Sequence, residues 1–127
     1  MEGYSVKVIE TSEELTAKQR IAIKDTSACT KLDTEVTPEA GLLITPVAYA
    51  MLQIHNEKSD HKDYCVYIII DANGTRYVTG SESFWTQFRS IWDEMKEFAP
   101  DEEFELNVYK MESKNYKGKH FLTCSIV

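Results

Sequence analysis

The chain has 127 residues, of which 21 are acidic and 14 are basic, so its formal net charge at neutral pH is −7. This length suits one compact domain that removes more than half of its unfolded surface from water. No apolar run reaches the roughly 18 residues that a membrane-spanning helix needs, and the first fourteen residues carry four glutamates instead of an apolar signal segment. We therefore expect a single domain over residues 1–127, located in the cytoplasm and without a membrane partner.

The charge is unevenly distributed along the chain. Residues 93–105 contain seven carboxylates and one lysine, whereas residues 106–127 contain four lysines and one glutamate. The first segment therefore has a net charge of −6 and the second a net charge of +3. A protein with one acidic side and one basic edge can still bind nucleic acid, although this composition argues against a wholly basic protein that coats phosphates.

The amino-terminal third contains short periodic segments. Tyr4, Val6 and Val8 alternate with polar residues, which predicts a strand, and residues 20–24 alternate in the same way. Small and polar residues dominate from about 25 to 42, where we expect a long loop or mobile segment.

The centre of the chain contains the clearest strand signals. Residues 44–55 and 64–70 are predicted as strands, with the charged segment 56–62 as the turn between them. The sequence Asp71-Ala-Asn-Gly74 predicts a tight turn that leads into a further strand over residues 75–78.

One helix is predicted after these strands. Thr79 and Glu82 have the spacing of a capping box, and Pro100 ends the segment. The apolar face of the helix, recognised by its helical spacing, comprises Phe84, Phe88, Ile91, Trp92, Met95 and Phe98. We expect this face to fill the core, and we expect Trp85, at its margin, to be partly exposed.

The last two predicted strands, 104–108 and 122–126, complete the order of elements. Strands, one helix and two further strands predict a mostly β domain, an OB-fold-like five-stranded barrel with the helix between strands 3 and 4. In OB-folds, strands two and three bind oligonucleotides together with the loops that join strands one to two and four to five. The lysine-rich turn before the final strand would be the second of these loops.

Strand alternation predicts which side chains would face a ligand. If Val66, Ile68 and Ile70 point into the barrel, the residues between them point outward. The same logic puts four tyrosines and one histidine on the outer surface, namely Tyr49, His55, Tyr67, Tyr77 and Tyr109. Such rings can stack on unpaired bases, each for roughly 1 to 3 kcal/mol. The alternative is that these tyrosines pack on one another and on neighbouring loops.

The turn between the last two strands is the most basic part of the chain. The candidate ligand-binding side chains there are Lys110, Lys114, Tyr116, Lys117 and Lys119. Together with Arg76 in the preceding hairpin, they suit the phosphates and bases of single-stranded nucleic acid. The alternative is that these cations are simply solvated on an ordinary surface hairpin.

The sequence contains no pattern that indicates catalysis. No nucleophile elbow or Cys-His signature joins its serine, histidine and aspartate residues. The spacing of His55, His61 and Cys65 matches no zinc pattern. We therefore predict a protein that is not an enzyme and that uses neither a metal nor a cofactor.

Several motifs in the last two thirds of the chain carry a resemblance to a known family. They are Asp71-Ala-Asn-Gly-Thr-Arg-Tyr77 before a Ser/Thr-capped helix, Phe104-Glu-Leu-Asn-Val108, and Ser113-Lys-Asn-Tyr-Lys-Gly-Lys-His-Phe121 before the final strand. Over roughly residues 44–127 the chain resembles the small single-stranded DNA-binding proteins of bacteriophages that infect Gram-positive bacteria, the phi29-like group included.

The resemblance implies cooperative, sequence-independent coating of replicating phage DNA on an OB-like barrel, without a cofactor. By position, it implies that the binding surface comprises Tyr49, Tyr67, Tyr77, Tyr109, Lys114, Tyr116 and Lys117. The chain departs from some bacterial relatives in lacking an obvious glycine-rich acidic tail, so recruitment of partners by such a tail is not implied.

The leading hypothesis is therefore a protein that protects single-stranded DNA during phage DNA replication or recombination, in the host cytoplasm. Replication or recombination proteins would be further partners, and a homo-oligomer is compatible with this function. The alternative is a phage-encoded acidic module that inhibits or recruits a host protein, for which the net charge of −7 is the motivating feature. The sequence also leaves open whether RNA is bound in place of DNA.

Overall fold

The computed structural model describes residues 3–58, 60, 62–115 and 118–127. The elements in chain order are β1 (Tyr4–Thr11), α1 (Ala17–Ile23), β2 (Thr30–Lys31), α2 (Leu32–Glu35), β3 (Leu42–Ile44), β4 (Pro46–Asn56), β5 (Asp63–Asp71), β6 (Arg76–Thr79), α3 (Glu82–Phe98), β7 (Leu106–Glu112) and β8 (His120–Ile126).

The strands form two sheets. The larger sheet has the order β1-β4-β5-β6-β2, and the smaller has the order β3-β7-β8. Only Thr45 separates β3 from β4, so one nearly continuous run of chain belongs to both sheets. Neither sheet closes on itself in the part of the chain that the structure describes, because β6 pairs with β5 and β2 while β8 is an edge strand. The predicted mostly β class is confirmed, whereas the five-stranded barrel is not.

The main core lies between the larger sheet, α3 and the smaller sheet. The Ser81 hydroxyl caps α3 by accepting a hydrogen bond from the backbone N–H of Phe84 at 3.2 Å. The predicted capping box is therefore wrong, because the Thr79 hydroxyl accepts a hydrogen bond from the Ser81 N–H instead. The buried side chains of the helix are the four rings Phe84, Trp85, Phe88 and Trp92.

Two predictions about the helix surface are wrong. Trp85 is buried because its ring stacks on that of Tyr67, with the centroids 4.5 Å apart and the planes 10° from parallel. Phe98 is 75% exposed, although its spacing places it on the apolar face. It is the last helical residue, and the ring contacts of the core end six residues earlier, where Trp92 packs edge-on against Phe104.

Three of the tyrosines predicted to point outward lie in this core. Tyr49, Tyr67 and Tyr77 are between 4% and 8% exposed. The ring of Tyr49 meets those of Trp85 and Trp92 edge-on, with centroid distances of 5.3 and 5.4 Å, and burial raises the pKa of all three phenols. The predicted outer surface of rings is therefore wrong, because α3 and the smaller sheet cover the face that carries them.

The opposite face of the larger sheet carries a second, smaller core. Leu52 and Ile68 are fully buried there beside Ile23 of α1. The Thr16 hydroxyl accepts from the Gln19 N–H and the Gln19 side chain accepts from the Thr16 N–H, at 3.2 and 2.9 Å. This capping box begins a helix at Ala17, so the predicted strand over residues 20–24 is wrong.

The segment from 25 to 42 is anchored to the sheet and is not a long loop. It contains β2 and α2, and the side chains of Leu32 and Val36 within it are fully buried. β2 pairs in parallel with β6, and the Thr79 hydroxyl donates to the carboxylate of Asp33 at 2.9 Å. These contacts hold the segment in a fixed position beside β6.

Two phenylalanines of α3 test this description of the core. Phe88→Ala should lower the free energy of unfolding by about 3–5 kcal/mol, because it leaves a ring-sized cavity in a fully buried position. Phe98→Ala removes the same atoms from an exposed position and should change the free energy by no more than about 0.5 kcal/mol. Urea unfolding measures both values, and equal losses would contradict the core described above.

Candidate nucleic-acid interface

An open groove of about 340 Å³ crosses the face of the larger sheet that α3 does not cover. Its floor is apolar and consists of Ile54 on β4, Val66 on β5 and Val78 on β6. Ile54 lies opposite Tyr64 and Val78 lies opposite Ile68. Tyr64 and Ile68 are each two positions from Val66 on β5, so all these side chains lie on the same face of the sheet. α1 packs over the neighbouring part of the same face and leaves the groove uncovered.

Two tyrosine rings border the groove. Tyr4 on β1 is 42% exposed and Tyr64 on β5 is 36% exposed, so both keep part of the ring open to water. A half-exposed ring at the edge of an apolar floor offers a flat surface on which a planar ligand can stack.

The rim of the groove is polar and is formed by Thr26, Lys31, Asp33, Thr79 and Gly80. Lys31 is exposed on β2, opposite Val78 in the parallel pairing with β6. The ammonium group of Lys110 donates to the backbone oxygen of Asp33 at 2.8 Å, which brings a second cation beside this rim. The groove therefore combines a hydrophobic floor, two rings and two nearby cations.

The predicted site residues of the larger sheet do not form one surface. Tyr49, Tyr67 and Tyr77 are sealed under α3 and cannot stack on a ligand. Arg76 is half-buried on the grooved face of the sheet, but it lines a separate depression beside α1 together with Glu13.

The hairpin of β7 and β8 carries the other predicted site residues. Tyr109 is half-buried on the outer face of the smaller sheet, whereas Lys110 is on the inner side and reaches Asp33 of α2. Lys114 and Lys119 are exposed near the turn. The predictions for Tyr116 and Lys117 concern positions outside the described residues.

His55 is held in a cluster of ion pairs near the end of β4. Its Nδ1 lies 2.8 Å from a carboxylate oxygen of Asp63 and its Nε2 lies 2.5 Å from one of Glu57, while Lys62 also pairs with Glu57 at 3.3 Å. Alternation directs His55 away from the face that carries Ile54. Glu57 therefore contacts both His55 and Lys62, and His55 is held by Glu57 and Asp63 and does not line the groove.

The cluster gives His55 a testable pH dependence. Hydrogen bonds to Asp63, and then to Glu57, raise the pKa of His55 above its ordinary value of about 6.5. The stability that protonated His55 contributes is therefore complete below that value and is lost as the pH rises through the higher pKa of the folded state. NMR titration should give the raised pKa, and His55→Gln should remove this part of the pH dependence of Tm. A pKa at or below the ordinary value would contradict the ion pairs.

The described residues contain no group of three or more His, Cys, Asp and Glu side chains that could hold a metal ion. His61, a member of the zinc set considered above, lies outside those residues. None of the helices in the described part of the chain has the length and apolarity to cross a bilayer.

The sequence analysis does not identify Tyr4, Tyr64 and Lys31 as site residues. Tyr4 is two positions before Val6 and Tyr64 is two positions before Val66, so each ring shares a strand face with aliphatic residues. Because this aliphatic face is assigned to a barrel interior in the sequence prediction, its rings are overlooked. The predicted alternation of the strand side chains is correct, but the face that α3 covers is the one with Tyr49 and Tyr67 and not the one with Val66.

No protein-family model, curated protein or solved structure matches the chain.

Proposed function

We propose that this protein binds single-stranded DNA without sequence specificity and protects it during phage DNA replication or recombination. The observation that carries the proposal is the open groove, in which Tyr4 and Tyr64 border an apolar floor beside Lys31. Unpaired bases would stack on the rings, and the phosphates would meet Lys31 and Lys110 at the rim. No step in this function needs a cofactor.

The order of the strands supports an OB-like reading of this surface. β4 pairs with β5, and β3, which precedes it almost without a break, pairs with β7. α3 follows β6, and the β7–β8 hairpin comes last. OB-folds are partly open Greek-key barrels in which strands two and three bind oligonucleotides. In this order β5 and β6 are strands two and three, and they carry Tyr64, Val66 and Val78 of the groove.

The carboxylates at the end of the acidic segment, Glu103 and Glu105, lie far from the groove. Glu103 and Glu105 lie beside Thr45, at the start of β4, whereas Ile54 of the groove is near the end of that strand. Nine residues of extended chain separate the two points by about 30 Å. The Debye length at physiological salt is only about 8 Å, so the acidic segment opposes a polyanion in the groove only weakly.

The proposal predicts that groove variants bind DNA less tightly. Tyr64→Ala should weaken binding of oligo-dT by about 1–3 kcal/mol, because it removes one stacking ring. Lys31→Ala should reduce the slope of log K against log salt by about 0.7, because one phosphate contact is lost. Fluorescence anisotropy of a labelled oligonucleotide measures both, and it does not depend on Trp85 and Trp92, which are buried.

Lys7→Ala is the matched control for Lys31→Ala. Lys7 is exposed on β1 and alternates with Val6 and Val8, so its side chain points away from the grooved face. Its replacement should leave both affinity and slope unchanged. Absence of wild-type binding at low salt, or equal losses in the two lysine variants, would refute the groove as the DNA site. Competition with oligo-U decides between DNA and RNA.

One observation favours a second candidate function, an acidic module that binds a host protein. Phe98 is three-quarters exposed at the end of α3, with Glu94, Glu97 and Asp101 close to it in sequence. An apolar ring among carboxylates suits a partner with a basic surface. Recovery of one stoichiometric protein by the wild type but not by Phe98→Ala, without binding of oligo-dT, would favour this function over the first.

A further inference from the structure

One face of the smaller sheet is not covered by any of the residues that the structure describes. The inner face of this sheet is buried against α3, which also holds it through a hydrogen bond from the Ser83 hydroxyl to the backbone oxygen of Leu122 at 2.8 Å. Strand register turns the side chains of Leu43, Tyr109, Met111 and Phe121 to the opposite side. Leu43, Met111 and Phe121 are 37–58% exposed, and such a group of apolar side chains is typical of an interaction surface.

The two ends of this face carry opposite charge. Lys114 is exposed at the turn that follows β7. Glu103 and Glu105 precede β7 at the other end, where they line an open depression of about 370 Å³ with Thr45 and Val127. Nine residues separate Glu105 from Lys114, which corresponds to about 30 Å of extended chain.

We propose that a second copy of this chain docks on this face, related by a two-fold axis that lies in the interface and runs across the strands of the smaller sheet. Such an axis makes the strands of the two copies antiparallel, so Lys114 of each copy lies over the depression formed by Glu103 and Glu105 of the other. An axis parallel to the strands would instead bring the two Lys114 side chains together, and like charges disfavour it. The charge pattern therefore selects one of the two arrangements.

The apolar residues fit the same axis. The midpoint between Glu105 and Lys114 falls at Tyr109, which lies opposite Thr123 on β8. Because this axis keeps β7 over β7, Met111 of one copy lies over Asn107 of the other and one strand from its Leu43, so a Met111–Leu43 contact flanks the centre on each side. An apolar centre with charged pairs at its rim is the usual anatomy of a specific interface.

Sedimentation of the full chain without DNA tests the apolar centre. The wild type should form a dimer whose Kd rises with salt, because the rim pairs are exposed and screened. Met111→Glu should raise the dimer Kd at least about a hundredfold, because it puts two uncompensated carboxylates into the interface. Ile21→Glu is the control, since Ile21 is an exposed apolar residue on α1, away from the smaller sheet, and it should leave the Kd unchanged.

Charge exchange tests the direction of the axis. Lys114→Glu and Glu105→Lys should each raise the dimer Kd about tenfold, because each juxtaposes like charges. An equimolar mixture of the two variants should regain wild-type affinity, because a heterodimer of them has opposite charges at both rims. Both positions are exposed, so these variants test the interface even if Met111→Glu unfolds.

A wild type that stays monomeric at about 1 mM would overturn the proposal, as would a mixture that associates no better than its components. The groove is on the larger sheet and the experiment contains no DNA. Self-association can therefore fail while oligo-dT binding holds, and the reverse is also true.

Discussion

The contact between α3 and the tyrosine-bearing face of β4 and β5 is the constraint on which the rest of the structure depends. Tyr67 stacks on Trp85, and Tyr49 stands edge-on between Trp85 and Trp92. The guanidinium of Arg89 covers the Tyr49 ring at 4.7 Å and pairs with Glu10 of β1 at 2.6 Å, which ties the helix to the edge of the sheet. Because these rings fill the interior, any ligand must use surfaces that α3 leaves open.

Several elements could be predicted from the sequence because their signals are local. The turn at Asp71–Gly74 is encoded by four adjacent residues, and the helix that ends at Phe98 is encoded by the spacing of its apolar residues and by the proline that follows it. The direction of the strand side chains could not be predicted in the same way. Both faces of β5 are apolar, with Val66 and Ile68 on one side and Tyr67 and Ile69 on the other. Alternation separates the two sets, but only the long-range position of α3 decides which set is covered.

The candidate site was less predictable than the fold for a related reason. Tyr4 and Tyr64 are sixty residues apart and come together only through the pairing of β1 with β4 and of β4 with β5. The hairpin lysines, in contrast, are neighbours in sequence and are recognised as a group, although Lys110 turns toward Asp33 of α2. The anchoring of residues 25–42 was also hidden, because only Leu32 and Val36 in that polar segment indicate burial.

The junction at Thr45 couples the unfolding of the two sheets. The Thr45 N–H donates to the carboxylate of Asp71, and the Thr45 carbonyl accepts from the Ala72 N–H, so the hairpin turn clamps the point where the strand passes from one sheet to the other. The residues on the two sides of Thr45 pair with β7 and with β5, so the positions of the two ladders are fixed relative to each other. We therefore expect the two sheets to melt as a single cooperative unit, and severing the chain at this residue would leave no fragment with a complete sheet.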